Sequence, residues 1–139
     1  MDFSLSEFCY LRPGVQDRGG VYYFPNKEVG ITATSLCVYK DEYGQYASKG
    51  KLKNGVRDGK WIFWHENGVM WQQQFWIDGK KQGLMTFWYE SGQKEVERNY
   101  KDDFLDGIWT RWYESGKTER TGKFNLGIGK MMAGIKLIL

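Results

Sequence analysis

His65 is the only histidine among the 139 residues, so any reading of acid–base or nucleophilic chemistry must start there. Glu66 follows it directly, and Glu66, Glu90 and Glu114 recur 24 residues apart. Paired carboxylates near an imidazole are raw material for general acid–base catalysis. Cys9 and Cys37 add two thiols, and Gly127-Ile128-Gly129-Lys130 has the outline of a phosphate loop. Each of these has a plainer explanation. One histidine cannot complete a Ser–His, Cys–His or His-cluster metal set, and Tyr89 and Tyr113 stand 24 and 48 residues beyond it, so it reads as a member of an aromatic column. A catalytic carboxylate pair would break a repeat, whereas these glutamates obey one. The glycine–lysine tract lacks both the phosphate-loop spacing and the following Ser or Thr. Two cysteines make neither a disulfide framework nor a zinc site, and both are read as free thiols, which suits a reducing compartment or leaves the compartment open. No catalytic residue, cofactor or metal site is expected, and the chain is not expected to be an enzyme.

The elements that hold these residues are set by an internal repeat. Gly59, Gly83 and Gly107 are spaced by 24, as are Gly68, Gly92 and Gly116, and Trp64, Trp88 and Trp112. Gly55, Gly79 and Gly127 fall on the same grid, with Asp103 in place of glycine in the third unit. Leu52, Trp76, Tyr100 and Phe124 form a large apolar column on it. The units run 51–74, 75–98 and 99–122. A degenerate unit precedes them, in which Tyr39 aligns with Phe63 and Gly44 with Gly68, while Ser35 and Lys40 replace the expected Gly and Trp. A partial unit follows from Lys123 and fails at Met131. Weakened end units are what a stacked array needs as caps.

Trp61 to His65 is a run of strand formers, and Glu66-Asn67-Gly68 offers the positive φ angles of a tight turn. Val69 to Trp76 then runs back. No stretch of 51–122 keeps a 3.6-residue period, so no helix is expected there. The fold class is therefore all-β: repeated hairpins with a 24-residue period in one elongated, twisted antiparallel sheet. Because 24 is even and strand side chains alternate, equivalent residues share a face. One face carries Trp64, Trp88 and Trp112 with Ile62, Thr86 and Thr110. That Trp ladder is uniform and is expected to be internal, with Trp88 the most consequential. The other face carries Trp61, Phe63, Phe87, Tyr89, Trp109, Arg111 and Tyr113. Variation along this second stripe suits recognition of a particular partner.

Charge narrows the partner. The formal net charge is +3 and no segment is a basic block, which argues against phosphate-driven nucleic-acid binding. No apolar run approaches the ~20 residues of a membrane span, and Met1 to Leu11 makes a poor export signal because Asp2 and Glu7 interrupt it. A cytoplasmic location is expected.

The tracts Asn54-Gly55-Val56-Arg57-Asp58-Gly59-Lys60-Trp61, Trp64-His65-Glu66-Asn67-Gly68 and Phe87-Trp88-Tyr89-Glu90-Ser91-Gly92-Gln93-Lys94 resemble the MORN repeat in its variant form. Bacterial proteins of this layout carry the label of the YwqK-type antitoxin family. The resemblance covers about 51–127 and implies a protein partner, a toxin if the label applies. It divides the chain into an N-terminal lead-in with a degenerate repeat (1–50), the repeats (51–127) and an apolar C-terminal tail or cap (128–139). The expected function is a non-enzymatic protein-binding module gripping its partner through the Trp61–Tyr113 stripe. The alternatives are a structural or self-associating scaffold, and a binder of anionic lipid or nucleic acid using Lys51, Lys53, Arg57, Lys60, Lys80 and Lys81.

Overall fold

The computed structural model describes residues 16–23, 27–39 and 44–125 in full, and 7–9 and 128–131 by their backbone. Lys40, Gly127 and the tail from 132 to 139 lie outside the described residues. The strands are β1 (Glu7–Cys9), β2 (Gln16–Arg18), β3 (Val21–Tyr23), β4 (Ala33–Tyr39), β5 (Tyr46–Lys53), β6 (Val56–Trp64) and β7 (Met70–Ile77). They continue as β8 (Lys80–Lys81), β9 (Gly83–Trp88), β10 (Lys94–Lys101), β11 (Phe104–Leu105), β12 (Gly107–Trp112), β13 (Thr118–Asn125) and β14 (Ile128–Met131). There is no helix among the described residues. Twelve strands form one antiparallel sheet in the order β1-β4-β5-β6-β7-β9-β10-β12-β13-β14, with β8 beside β7 and β11 beside β10. The remaining pair, β2 and β3, is a separate hairpin.

Two kinds of turn alternate along the sheet. Asn54-Gly55, Asp78-Gly79 and Asp102-Asp103 all have both φ angles positive, the conformation whose twist matches that of the flanking strands. These are two-residue hairpin turns. The opposite ends are three-residue loops. His65 N–H donates to the Val69 carbonyl and Gly68 N–H to the His65 carbonyl, with the same pattern at Tyr89–Gln93 and Tyr113–Lys117. Here only Gly68, Gly92 and Gly116 take positive φ, so the expected Asn67–Gly68 pair of positive angles is corrected to one. A bulge follows each loop, leaving Trp71, Glu95 and Glu119 outside the register pairs. In the first unit Tyr39 N–H reaches the Gln45 carbonyl, so its loop is two residues longer. Tyr39 therefore corresponds to His65, not Phe63.

Within a repeat the ladder is long; β6 and β7 pair from Gly59↔Trp76 to Trp64↔Met70. Between repeats it is interrupted. β7 pairs β8 at Ile77↔Lys80 and Trp76↔Lys81 and β9 at Gln72↔Phe87 and Gln73↔Thr86. β10 pairs β11 at Tyr100↔Leu105 and Lys101↔Phe104 and β12 at Val96↔Arg111 and Glu97↔Thr110.

The best-buried apolar cluster lies at one end of one face. Ile31, Leu52 and Trp61 form it, with Tyr22, Ala33, Phe63 and Trp76 packed around them. Tyr22 and Ile31 form a strap tied to the Asn54-Gly55 turn: Tyr22 N–H donates to the Gly55 carbonyl, and Gly55 N–H to the Ile31 carbonyl. Trp61, 2% exposed, donates its indole N–H to the Lys51 carbonyl. Its ring lies over Gly50, where an added Cβ would sit 2.0 Å from the indole. Trp64, Trp88 and Trp112 are all half-buried. The Trp ladder is thus not the core. The reason is that the strap covers the other face, and among the described residues no second layer lies on the ladder.

Cys37 is disulfide-bonded and buried. Cys9, the only other cysteine, is its partner in the β1–β4 register. The expectation of free thiols is corrected, and the reducing compartment inferred from it loses its footing, because disulfides persist where conditions are oxidising.

Replacing Gly50 with Ala is expected to destabilise the protein by about 1–3 kcal/mol through overpacking against Trp61. Gly59→Ala meets no atom within 4 Å, and its cost of about 1–2 kcal/mol comes from positive φ alone. Chemical denaturation of both, with the additional variant Trp61→Ala, distinguishes the two causes. In the Trp61→Ala background the Gly50→Ala penalty should vanish while the Gly59→Ala penalty persists.

Candidate functional site

The first strands of the repeats, β6, β9 and β12, present their odd-numbered side chains to the face that the strap partly covers. The register places Phe63 opposite Gln72, Phe87 opposite Val96, and Arg111 opposite Arg120. Trp61 lies one step along from Phe63, their rings 6.3 Å apart and stacked. Phe63, Phe87, Tyr89 and Trp109 are half-buried, and Arg111 and Tyr113 are exposed. The structure therefore keeps the stripe on one face but removes Trp61 from its accessible part. What remains open is Phe63, Phe87, Tyr89, Trp109, Arg111 and Tyr113.

One column of the stripe has a second task. Tyr39 Oη donates to the Trp64 carbonyl at 2.6 Å, and Tyr89 Oη to the Trp112 carbonyl at 2.7 Å. Between them, His65 Nε2 lies 2.8 Å from the Trp88 carbonyl. A carbonyl can only accept, so Nε2 carries the hydrogen. Each member of the column thus clasps the backbone of the next repeat. His65 is committed to that bond, which accounts for its place in the column. Tyr113, 52% exposed, has no such partner for its hydroxyl among the described residues. At the opposite edge of the sheet each two-residue turn is tied back by its backbone to the segment beyond its own hairpin. Gly55 N–H donates to the Ile31 carbonyl, Gly79 N–H to Arg57 and Asp103 N–H to Lys81. Asp103 keeps its positive φ of 71° with its side-chain Oδ1 accepting from Lys81 N–H at 2.8 Å, so it does the work of the glycine it replaces.

Cations lie against rings along this face. The Arg57 guanidinium is 4.8 Å from the Trp61 ring, 5.5 Å from Phe63 and 5.3 Å from Trp76. Gln74, buried, accepts from the Trp76 indole N–H at 2.7 Å and from Arg57 at 3.3 Å. Burial pulls the Arg57 pKa below its ordinary value; Tyr22, by charge and by hydrogen bond, opposes that. Lys81 sits 5.8 Å from Trp76 and 5.2 Å from Tyr100. Such contacts stabilise a cation, more so when it is desolvated. The six basic residues of the lipid or nucleic-acid alternative do not form one surface. Leu52 pairs with Arg57 and Trp76 with Lys81, while Lys51 pairs with Asp58 and Lys60 with Phe75, so alternation divides them between faces.

Among the described residues no group of three or more His, Cys, Asp or Glu is arranged to hold a metal ion. No helix among them is long and apolar enough to cross a membrane. The residues that sequence reasoning passed over are Gln74, Arg98 and Arg120. They lie on the return strands β7, β10 and β13. Pairing each with its cross-strand neighbour at the 24-residue period would have placed them on the aromatic face.

Three consecutive segments, 57–78, 81–102 and 105–125, match the MORN repeat variant. The phase of the match agrees with the structure, since each segment begins at the column of Arg57, Lys81 and Leu105. No curated protein and no solved structure matches the chain.

The clasp makes a prediction at single-atom scale. Removing the hydroxyl in Tyr89→Phe leaves the Trp112 carbonyl without this donor and should cost about 1 kcal/mol. Tyr113→Phe should change stability by less than about 0.5 kcal/mol. Equilibrium urea unfolding of the two variants measures the difference.

Proposed function

We propose that the chain is a non-enzymatic protein-binding repeat module that grips its partner on the aromatic face through Phe63, Phe87, Tyr89, Trp109, Arg111 and Tyr113. The observation that carries this reading is one row of partly open aromatic and arginine side chains crossing three repeats, held in place by the clasps between them. Aromatic and arginine side chains are the usual anchors of protein interfaces, and rigid presentation lowers the entropic cost of binding. MORN repeats often serve as protein-binding or lipid-binding modules, which accords with a surface and not a deep pocket. On this reading residues 1–50 and 128–139 serve as end caps, and an antitoxin-like module would use the stripe to cover a toxin.

A second reading, self-association, draws on the opposite face. Tyr46, Phe75, Leu84 and Ile108 are exposed and alternate with residues of the aromatic face, and exposed apolar side chains sharing a face offer contact area for a second copy.

Affinity capture followed by mass spectrometry should return one dominant protein partner, and Phe87→Ser with Arg111→Ala should lower its affinity at least tenfold without shifting the thermal midpoint by more than about 4 °C. Retention of the partner by that double variant would refute the stripe. Sedimentation equilibrium of wild type and Leu84→Lys/Ile108→Lys separates the second reading: a dimer abolished by those lysines supports it, and a concentration-independent monomer excludes it.

A further inference from the structure

The third repeat departs from the other two in one place. Where the first has Phe63 opposite Gln72 and the second Phe87 opposite Val96, the third has Arg111 opposite Arg120. Like charges directly opposite each other on adjacent antiparallel strands are destabilising. The two neutral copies show that the repeat does not require them. One step along the sheet Arg98 joins them, in a column that holds Gln74 in the first unit and Gly122 in the third. The three arginines rim a groove of about 330 Å³ whose floor is Val96, Leu105, Trp109 and Phe124. Gly122 lies opposite Trp109, so no side chain fills the notch between them.

The guanidinium groups are not equally engaged. Arg111 is held by Glu119 at 2.9 Å, with Glu95 3.9 Å away. Arg98 lies 5.8 Å from the centre of the Phe87 ring and its guanidinium makes no hydrogen bond or ion pair among the described residues. Arg120 has no hydrogen bond or ion pair among the described residues, although it is exposed. Two planar forks are thus open over an apolar floor, and a third is anchored between them. Guanidinium forks match carboxylates bidentately.

From this arrangement we infer that the third-repeat groove is a docking site for an acidic segment of the partner protein, in which carboxylate side chains alternate with large apolar ones. The carboxylates meet Arg98 and Arg120, and the apolar side chains fill the notch over Trp109. An extended polyanion fits less well. Glu95 and Glu119 stand at the rim, Arg57 is enclosed by rings, and most lysines of the repeats project from the opposite face. The inference rests on the protein-binding reading of this face and adds the chemistry of what binds there.

The test uses the full chain and a fluorescein-labelled, amidated octapeptide of alternating Glu and Phe. The controls are the same peptide with Lys for Glu, phosphatidylserine vesicles, and a single-stranded 20-nucleotide DNA. Fluorescence anisotropy should show saturable, salt-sensitive binding of the Glu peptide. Arg98→Gln and Arg120→Gln should each weaken it at least tenfold, and Lys60→Gln, on the other face, less than twofold. Arg120→Gln should also raise the thermal midpoint, because it relieves the repulsion with Arg111; a purely structural arginine would lower it. Equal binding of the Lys peptide, insensitivity to both arginine variants, or arginine-dependent binding of vesicles or DNA without the Glu peptide would overturn the inference. If Arg98→Gln/Arg120→Gln still holds a captured partner that Phe87→Ser/Arg111→Ala loses, the acidic-segment inference fails while the protein-binding reading stands.

Discussion

The joint between repeats is the point on which the sheet depends. Inside a repeat, β6 and β7 share a long ladder. Across a joint the ladder is interrupted: β7 pairs β8 at Ile77↔Lys80 and Trp76↔Lys81, and β9 at Gln72↔Phe87 and Gln73↔Thr86. A broken ladder holds its two strands less firmly than a continuous one. The aromatic clasps lie at the loop end of each joint, and the two-residue turn closes the other end. They add directional bonds where the pairing is interrupted. The aromatic donor also keeps its ring on the outer surface of the joint, so one residue both closes the backbone and offers apolar area. That dual use explains why His65 can replace tyrosine: the column needs a ring with a hydrogen-bond donor at its far end.

The architecture was largely legible, for identifiable reasons. The even period of Gly59, Gly83 and Gly107 and the alternation of Trp61 with Trp64 assign strands and faces correctly. What was not legible depended on residues outside the periodic grid. Trp61 is buried and Trp88 is not because Tyr22 and Ile31 pack at one end of one face, and that strap has no copy in the repeats to announce it. Tyr39 was misaligned by two residues because its loop is longer, and a fixed period cannot show a change in loop length. The pairing of Arg111 with Arg120 needed the register across a bulge, since Glu119 drops out of the ladder. In the sequence Arg111 stood in the aromatic stripe, with nothing to show that Arg120 lies opposite it.

The two ends of the aromatic face differ in kind. At the N-terminal end Arg57 is enclosed by three rings and by Gln74, and its charge is spent on the fold. In the middle, Lys81 lies between Trp76 and Tyr100. At the third repeat Leu105 occupies that column, and positive charge has moved to Arg98, Arg111 and Arg120 around the groove. One backbone plan thus turns cations inward at one end and outward at the other.

Because the same clasp recurs from joint to joint, the number of units fixes a length and an angle together. Each unit contributes two strands to the main path, about 9.6 Å across the sheet at about 4.8 Å per strand. The usual strand-to-strand twist adds roughly 40–50° over the same step. A duplication of one 24-residue unit would therefore move whatever is held at the far end along a screw path by a set increment, leaving every contact within the units intact. The protein is in this respect a graduated rod, its markings the glycine and aromatic columns, and its reach is set by counting.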